Sequence, residues 1–182
     1  PGSFEYEDEE VASYELGAKM SITPSLELNV AAFYTSIKNM QVSVFDGALG
    51  FNVSNAAAAT STGLEMDGRW AITEEWMLVG SIGWLNFEFD DYQDGLCTST
   101  QQLKAAVTGI GANGDTVAQG TQCVADFTGK TNQYVADFSG RLSLMYDKPI
   151  GRALLFKTSF DVFFTDDYSP AQNLDPDLQQ KA

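Results

Sequence analysis

Long runs in which apolar and polar residues alternate limit most strongly how this chain can fold. Between Tyr14 and Ile22 the even-numbered residues are apolar and the odd-numbered ones are polar or glycine, and a more mixed alternation runs from Leu26 to about Phe45. Because successive side chains of a β-strand point to opposite faces, a period of two predicts strands with one apolar face. Helical spacing is hard to find, so the predicted fold class is all-β.

Six such runs follow one another along the chain and predict an antiparallel up-and-down meander. After the first two runs, strands are expected at 61–72, 76–90, 134–146 and 154–164. Short turns are expected near 23–25, 73–75 and 147–151 at one end of the strands, with a hairpin turn at 46–50 and a long connection at 91–132 at the other end. This asymmetry is typical of outer-membrane barrels, as are strands longer than the ~5–6 residues usual in soluble sheets.

The composition narrows the classes of function. Asp and Glu number 25 and Lys and Arg number 10, which gives a formal net charge of -15, and the sequence has no histidine. The acidity argues against nucleic acid as a partner, since phosphate binding needs a basic surface. Without histidine, the commonest general base and metal ligand are missing, so we predict a protein that is not an enzyme and has no metal or other cofactor.

The hydropathy pattern is compatible with a membrane although no apolar run is long enough for a transmembrane helix, because a membrane strand needs only ~9–11 alternating residues. Aromatic residues gather near both ends of the predicted strands, as a bilayer would favour. They are Trp70, Trp76 and Tyr146 beside the short turns and Tyr34, Trp84 and Tyr134 towards the long connections. The pattern alone leaves open a soluble acidic β-sandwich that binds carbohydrate or another surface partner, because one buried sheet face also alternates.

Three segments, in this order, carry a resemblance to a known family. Residues 9–19 read EEVASYELGAK, residues 28–39 read LNVAAFYTSIKN and residues 55–66 read NAAAATSTGLEM. A fourth segment, NLDPDL at 173–178, adds to them. Together these motifs resemble the C-terminal half of the β-barrel of TonB-dependent outer-membrane receptors. The resemblance covers most of residues 5–182 and is weak through 91–132.

The resemblance implies that the chain is one part of a larger receptor. Barrels of this family have about 22 strands around a plug domain, whereas residues 1–182 supply six strands and no plug, so we expect a barrel fragment. The N-terminus lacks the features of a signal peptide, which fits an internal piece of a longer protein and leaves a cytosolic protein as the alternative. The implied function is energy-coupled uptake of a scarce ligand across the outer membrane of a Gram-negative bacterium. That ligand would be a ferric siderophore, a cobalamin or an oligosaccharide, and the partners would be outer-membrane lipid and the TonB system, which acts through a plug.

The expected barrel assigns two groups of candidate residues. Charged residues on the polar strand face would point into the lumen, where charge is tolerated; they are Glu15, Lys19, Glu65, Asp67, Arg69, Asp137 and Arg141. Residues that follow strands at the external end are candidates for contact with a cation or a sugar, although they are also common turn formers. They are Asp91, Tyr92, Asp94, Asp166, Asp167 and Tyr168. The carboxylate pairs also leave a hydrolase open as a third class of function.

Cys97 and Cys123 are the two cysteines of the chain, and both lie in the 91–132 connection, which the resemblance makes an external loop. Outer-membrane proteins fold through an oxidising periplasm, so we expect a disulfide between them. Two free thiols or a metal-binding pair are the alternatives, and no histidine or third cysteine supports a metal.

Overall fold

One antiparallel sheet of six long strands dominates the computed structural model, which describes residues 7–45, 51–118 and 123–182. In chain order the long strands are β1 (Glu10–Thr23), β2 (Leu26–Phe45), β3 (Phe51–Ala71), β4 (Trp76–Asp91), β7 (Phe138–Ile150) and β8 (Leu154–Thr165). Each pairs with the strand listed before and after it, and β1 and β8 form the two open edges. The predicted all-β meander is therefore confirmed. The turn predicted at 46–50 lies outside the described residues.

The register keeps even-numbered and odd-numbered residues on opposite faces across most of the sheet. Leu16 lies opposite Ala32, Ala32 opposite Leu64, and Leu64 opposite Trp84. The face of even-numbered residues is mostly apolar and yet exposed, with Leu16 81% and Phe160 69% accessible. The long strands all belong to this one sheet, and in the described part of the chain no second large sheet covers the apolar face. The β-sandwich alternative is thus wrong.

The connection between β4 and β7 contains structure that the sequence pattern did not predict. It holds the two-residue strands β5 (Gly95–Leu96) and β6 (Val124–Ala125), which pair with each other, and the helix α1 (Ser99–Thr108). The Gln101 amide donates to the Thr98 hydroxyl, and the Thr98 amide donates to the side-chain oxygen of Gln101. These two hydrogen bonds form a capping box at the start of the helix. We call residues 92–137 the cap. A 3-10 turn, Pro176–Leu178, follows β8.

Several strand boundaries differ from the prediction: β1 begins at Glu10 instead of Tyr14, and β3 begins at Phe51, well before the predicted start at 61. The fifth long strand begins at Phe138 instead of Tyr134, because Tyr134 has a positive φ of 60° and its amide donates to the Ser169 carbonyl, outside the ladder. At the other end β7 continues to Ile150, so the turn comes at 151–153 and starts at Gly151, whose φ is 67°. Glycine adopts that left-handed conformation without steric cost.

Candidate functional site

The hydrophobic core lies at one end of the sheet, where the cap packs on β2, β3 and β4. We call this the loop end, and the opposite end, with the short connections, the turn end. The buried apolar side chains there are Ala57, Ala59, Phe89, Tyr92, Cys97, Ala105, Cys123, Ala125 and Phe127. A chain of edge-to-face aromatic contacts runs through the core, with 4.9 Å between the Phe89 and Tyr92 ring centroids and 5.4 Å between those of Tyr92 and Phe127.

A disulfide closes the cap. Cys97 and Cys123 are bonded, with their Cα atoms 5.8 Å apart, and they link the residue after β5 to the residue before β6. The predicted disulfide is therefore confirmed. Main-chain hydrogen bonds fasten the cap to the sheet as well, because the Phe89 amide donates to the Lys130 carbonyl at 2.9 Å and the Gly129 amide donates to the Phe89 carbonyl at 2.8 Å. The described part of the cap is thus joined to the sheet by hydrogen bonds as well as by side-chain packing.

Tyr92, predicted as a ligand residue, is built into this core. Its side chain is only 5% accessible, and its amide donates to the Thr128 hydroxyl. Burial raises the pKa of the Tyr92 phenol above its ordinary value, and the negative charge of Asp94 raises it further by a smaller amount. The phenol is therefore neutral at physiological pH. Nearby, hydrogen bonds from Thr128 lower the pKa of the Asp126 carboxyl. These residues hold the cap together.

Three of the predicted external residues meet in a cavity. Asp166, Asp167 and Tyr168 line a cavity of about 500 Å³ at the loop end, together with Lys130 and Asp175. Tyr92 lines a separate cavity of about 230 Å³, whose walls also include neutral amide side chains. Neither lining includes Asp91 or Asp94. The external candidates that follow β4 and those that follow β8 thus do not share one cavity.

The base of the larger cavity is held by the segment that follows the last strand. The Tyr168 amide donates to the Gln180 carbonyl at 3.1 Å and the Gln180 amide donates back at 2.8 Å. The Asp167 carboxylate accepts from the amide of Ala182 at 2.6 Å, and the Tyr134 and Tyr168 ring centroids lie 6.1 Å apart. Sequence reasoning missed Lys130, which has no periodic pattern around it. It quoted Asp175 within the NLDPDL motif but did not place it in a site.

The candidate lumen residues share one face of the sheet. Glu15, Lys19, Glu65, Asp67, Arg69 and Arg141 all lie on the odd-numbered face. Asn29 donates to the Asp67 carboxylate at 2.9 Å, and Arg141 pairs with Asp161 at 2.6 Å. Asp137 lies just before β7, where its carbonyl accepts from the Leu85 amide and extends the ladder. That this face lines a lumen remains a prediction.

The arrangement offers a polar sheet face and, at the loop end, a cavity with several acidic residues in its lining. Among the residues that the structure describes, no group of three or more histidine, cysteine, aspartate or glutamate side chains is arranged to hold a metal ion. No helix within the described ranges is both long enough and apolar enough to cross a membrane.

Comparison with known proteins decides the family. Residues 4–179 match the family described as TonB dependent receptor-like, beta-barrel. The chain belongs to the TonB-dependent receptor family. Members of this family lie in the outer membrane and are receptors, not enzymes. The resemblance seen in the sequence motifs is therefore confirmed.

Individual relatives are receptors too. The pesticin receptor of Yersinia enterocolitica is 36% identical over 69 residues, which is 37% of this chain and 10% of that receptor. The ferric yersiniabactin uptake receptor FyuA from Yersinia pestis has a similar fold, with a TM-score of 0.59 and 20% identity over 95% of this chain and 21% of its own. The siderophore receptor PiuA from Acinetobacter baumannii has a TM-score of 0.60 and 18% identity, over 91% and 20%. The chain thus spans about a tenth of the curated relatives and a fifth of the solved structures.

Proposed function

We propose that these residues form barrel wall and external surface of an outer-membrane receptor that takes up a scarce ligand with energy supplied through TonB. The match to the receptor barrel family over residues 4–179 carries the proposal. The two-faced sheet supports it, because an apolar outer face and a polar inner face are what a membrane barrel requires. The open edges at β1 and β8 would pair with further strands of the closed barrel.

Within this function we propose a ferric siderophore as the ligand, ahead of a cobalamin or an oligosaccharide. The two structural relatives are named as a siderophore receptor and a ferric yersiniabactin uptake receptor. The proposed contact region is the 500 Å³ cavity at the loop end, with Asp166, Asp167 and Tyr168 in its lining. In the complete receptor, loops and a plug from elsewhere in the protein would complete the binding site.

Cell fractionation tests the receptor function. An antibody against the cap should detect a band in the outer-membrane fraction, several times larger than the 19.8 kDa of this chain, and iron starvation should increase it. A band found in the soluble fraction would contradict the membrane location, whereas an outer-membrane band that does not respond to iron would contradict the siderophore assignment alone.

Substitutions in the cavity test the proposed contact region. In the natural protein that carries these residues, Asp166→Asn together with Tyr168→Phe should raise the ligand concentration needed for half-maximal iron-dependent growth. Loss of the charged Asp166 contact alone is worth about 1.5–3 kcal/mol, so the increase should be about tenfold or more. The control is Asp115→Asn, in the cap but outside both cavity linings. Equal effects of the two changes would reject the assignment.

A further inference from the structure

Two paired glycines produce a depression in the otherwise side-chain-covered apolar face. Gly68 of β3 lies directly opposite Gly80 of β4, and Leu28 and Leu142 occupy the same row on either side. A depression of about 350 Å³ opens over this row, with Met66 and Trp70 in its walls. We call it the notch. It is continuous with the exposed apolar face, and a flexible hydrocarbon chain fits it better than water does, because its walls offer almost no hydrogen-bonding groups.

Beyond the notch, the hairpin of β7 and β8 at the turn end is locally basic, although the neighbouring turn carries the acidic Glu74 and Glu75. Residues 147–157 contain three of the ten Lys and Arg residues of the chain, Lys148, Arg152 and Lys157, and one acidic residue, Asp147, for a local net charge of +2 against -15 overall. The Lys157 ammonium forms an ion pair with the Asp147 carboxylate at 2.9 Å. Within the described parts of the chain, no carboxylate lies within the 4 Å ion-pair distance of Arg152.

Lys148 shares a face with the notch. It is even-numbered on β7, as Leu142 is, and its side chain is 53% accessible while it contacts Glu75 at 3.5 Å. Six residues of strand separate Lys148 from Leu142, a distance of roughly 20 Å at ~3.3 Å per residue. The rings of Trp76 and Tyr146, 4.5 Å apart, lie between the two positions. Such rings favour the headgroup zone of a bilayer.

We propose that the notch and Lys148 together bind one anionic phospholipid, with an acyl chain in the notch and the phosphate at Lys148, while Arg152 of the adjoining turn adds positive charge. The inference rests on the proposed membrane location. Burial of the acyl chain against apolar walls would hold the lipid, and the cations would select an anionic headgroup. The aromatic pair between them would cover the chain where it leaves the headgroup zone.

Native mass spectrometry of the natural protein that carries these residues tests the inference. The detergent-solubilised protein is titrated with phosphatidylglycerol and, separately, with phosphatidylcholine. The wild type should retain one phosphatidylglycerol more tightly than any later one. Gly80→Leu should remove this first site by filling the notch, and Lys148→Gln should weaken phosphatidylglycerol binding about fivefold without changing phosphatidylcholine binding.

Two matched controls complete the design. Ala18→Leu places the same leucine side chain on the apolar face outside the notch, and Lys157→Gln removes a charge from the same hairpin on the opposite face. Neither should alter the first site. Equal effects of control and test variants, a wild type without a distinct first site, or a protein dimer that Gly80→Leu abolishes would overturn the inference.

Fractionation of the same cells separates the inference from the proposed function. If the wild-type protein is found in the outer membrane but has no distinct phospholipid site, the lipid inference is rejected and the receptor function stands. Wild type outside the outer membrane would reject both. Lys148→Gln keeps the test decisive if Gly80→Leu fails to fold, because Lys148 is half exposed and packs in no core.

Discussion

The sheet and the cap of this molecule are stabilised in different ways. The sheet presents large apolar side chains to its surroundings, as at Phe160, which is 69% accessible. The cap buries its apolar groups in the core that it shares with the loop end of the sheet, where Phe127 is 3% accessible, and a disulfide closes it. Within the described residues the apolar face and the two edges of the sheet are thus left uncovered, whereas the cap is held by side-chain packing, hydrogen bonds and a disulfide.

This difference matters for function because loops that bind ligands are usually held by a rigid scaffold. Here the cap packs on β3 and β4, so that Ala57 and Ala59 of β3 belong to the same core as Phe127 of the cap. The proposed contact region thus adjoins a packed core in the part of the chain that the structure describes, and a site that needs little rearrangement loses less entropy on binding. Four predictions test the contrast, ordered from the largest expected effect to the smallest.

Truncating the centre of the cap core should have the largest effect. Phe89→Ala removes a buried ring that contacts Phe87 and Tyr92, and it should lower the local unfolding free energy of the cap by ~3–5 kcal/mol. Amide hydrogen exchange in the natural protein that carries the cap, at Phe127 and Gly129, measures the loss. Phe160→Ala on the exposed sheet face is the matched control, and an equal loss there would refute the contrast.

Loss of the disulfide should loosen the cap and leave the sheet intact. Replacing both Cys97 and Cys123 by serine should cost ~2–5 kcal/mol of cap stability, because the open chain gains freedom when unfolded. Limited proteolysis should then cut within residues 92–137 and spare the strands. A reducing agent should give the same cleavage in the wild type and no further change in the double variant. Cleavage within the strands instead would mean that the cap supports the whole sheet.

One crowded position in the sheet sharpens the comparison. The Phe33 ring lies against Gly63, and a side chain there would also come within 2.8 Å of the Trp84 carbonyl oxygen. Gly63→Ala should therefore cost ~1–3 kcal/mol through steric strain. Gly83→Ala is the control, because the nearest atom to its added carbon is the Ser139 hydroxyl at 4.0 Å. The melting temperature in detergent measures both, and equal values would show that the sheet tolerates crowding.

Alkaline pH should weaken the cap before the sheet. The pKa of Tyr92 is raised in the folded protein, so the stability it contributes is complete below the unfolded value near 10.0 and falls as pH rises through the folded value. Cap hydrogen exchange, corrected for intrinsic rates, should therefore accelerate above about pH 10. Tyr92→Phe should remove this dependence, and Tyr14→Phe, on the exposed sheet face, should keep it. An unchanged profile in Tyr92→Phe would refute the role of burial.

Much of the sheet could be predicted from the sequence, because a strand encodes its faces locally. Alternation placed Leu16, Leu64 and Leu142 on one face, and the register confirms it. The ends of the strands were predicted less well, because main-chain hydrogen bonds to distant residues decide where a strand begins or ends. Tyr134 continues the alternation but leaves the ladder, because its amide bonds to Ser169. Helix α1 was missed because it has ten residues and only one buried side chain, Ala105, which leaves little apolar periodicity.

By itself the sequence determined the six strands, their two faces, the disulfide pairing and the family, since each depends on local period, on the two available cysteines or on short motifs. Only the tertiary structure decided that Phe89, Tyr92 and Phe127 form one core, that Asp166 meets Lys130 and Asp175 in a cavity, and that Gly68 lies against Gly80. These contacts join residues of different elements, and the folded backbone sets their distances. No local pattern records such distances.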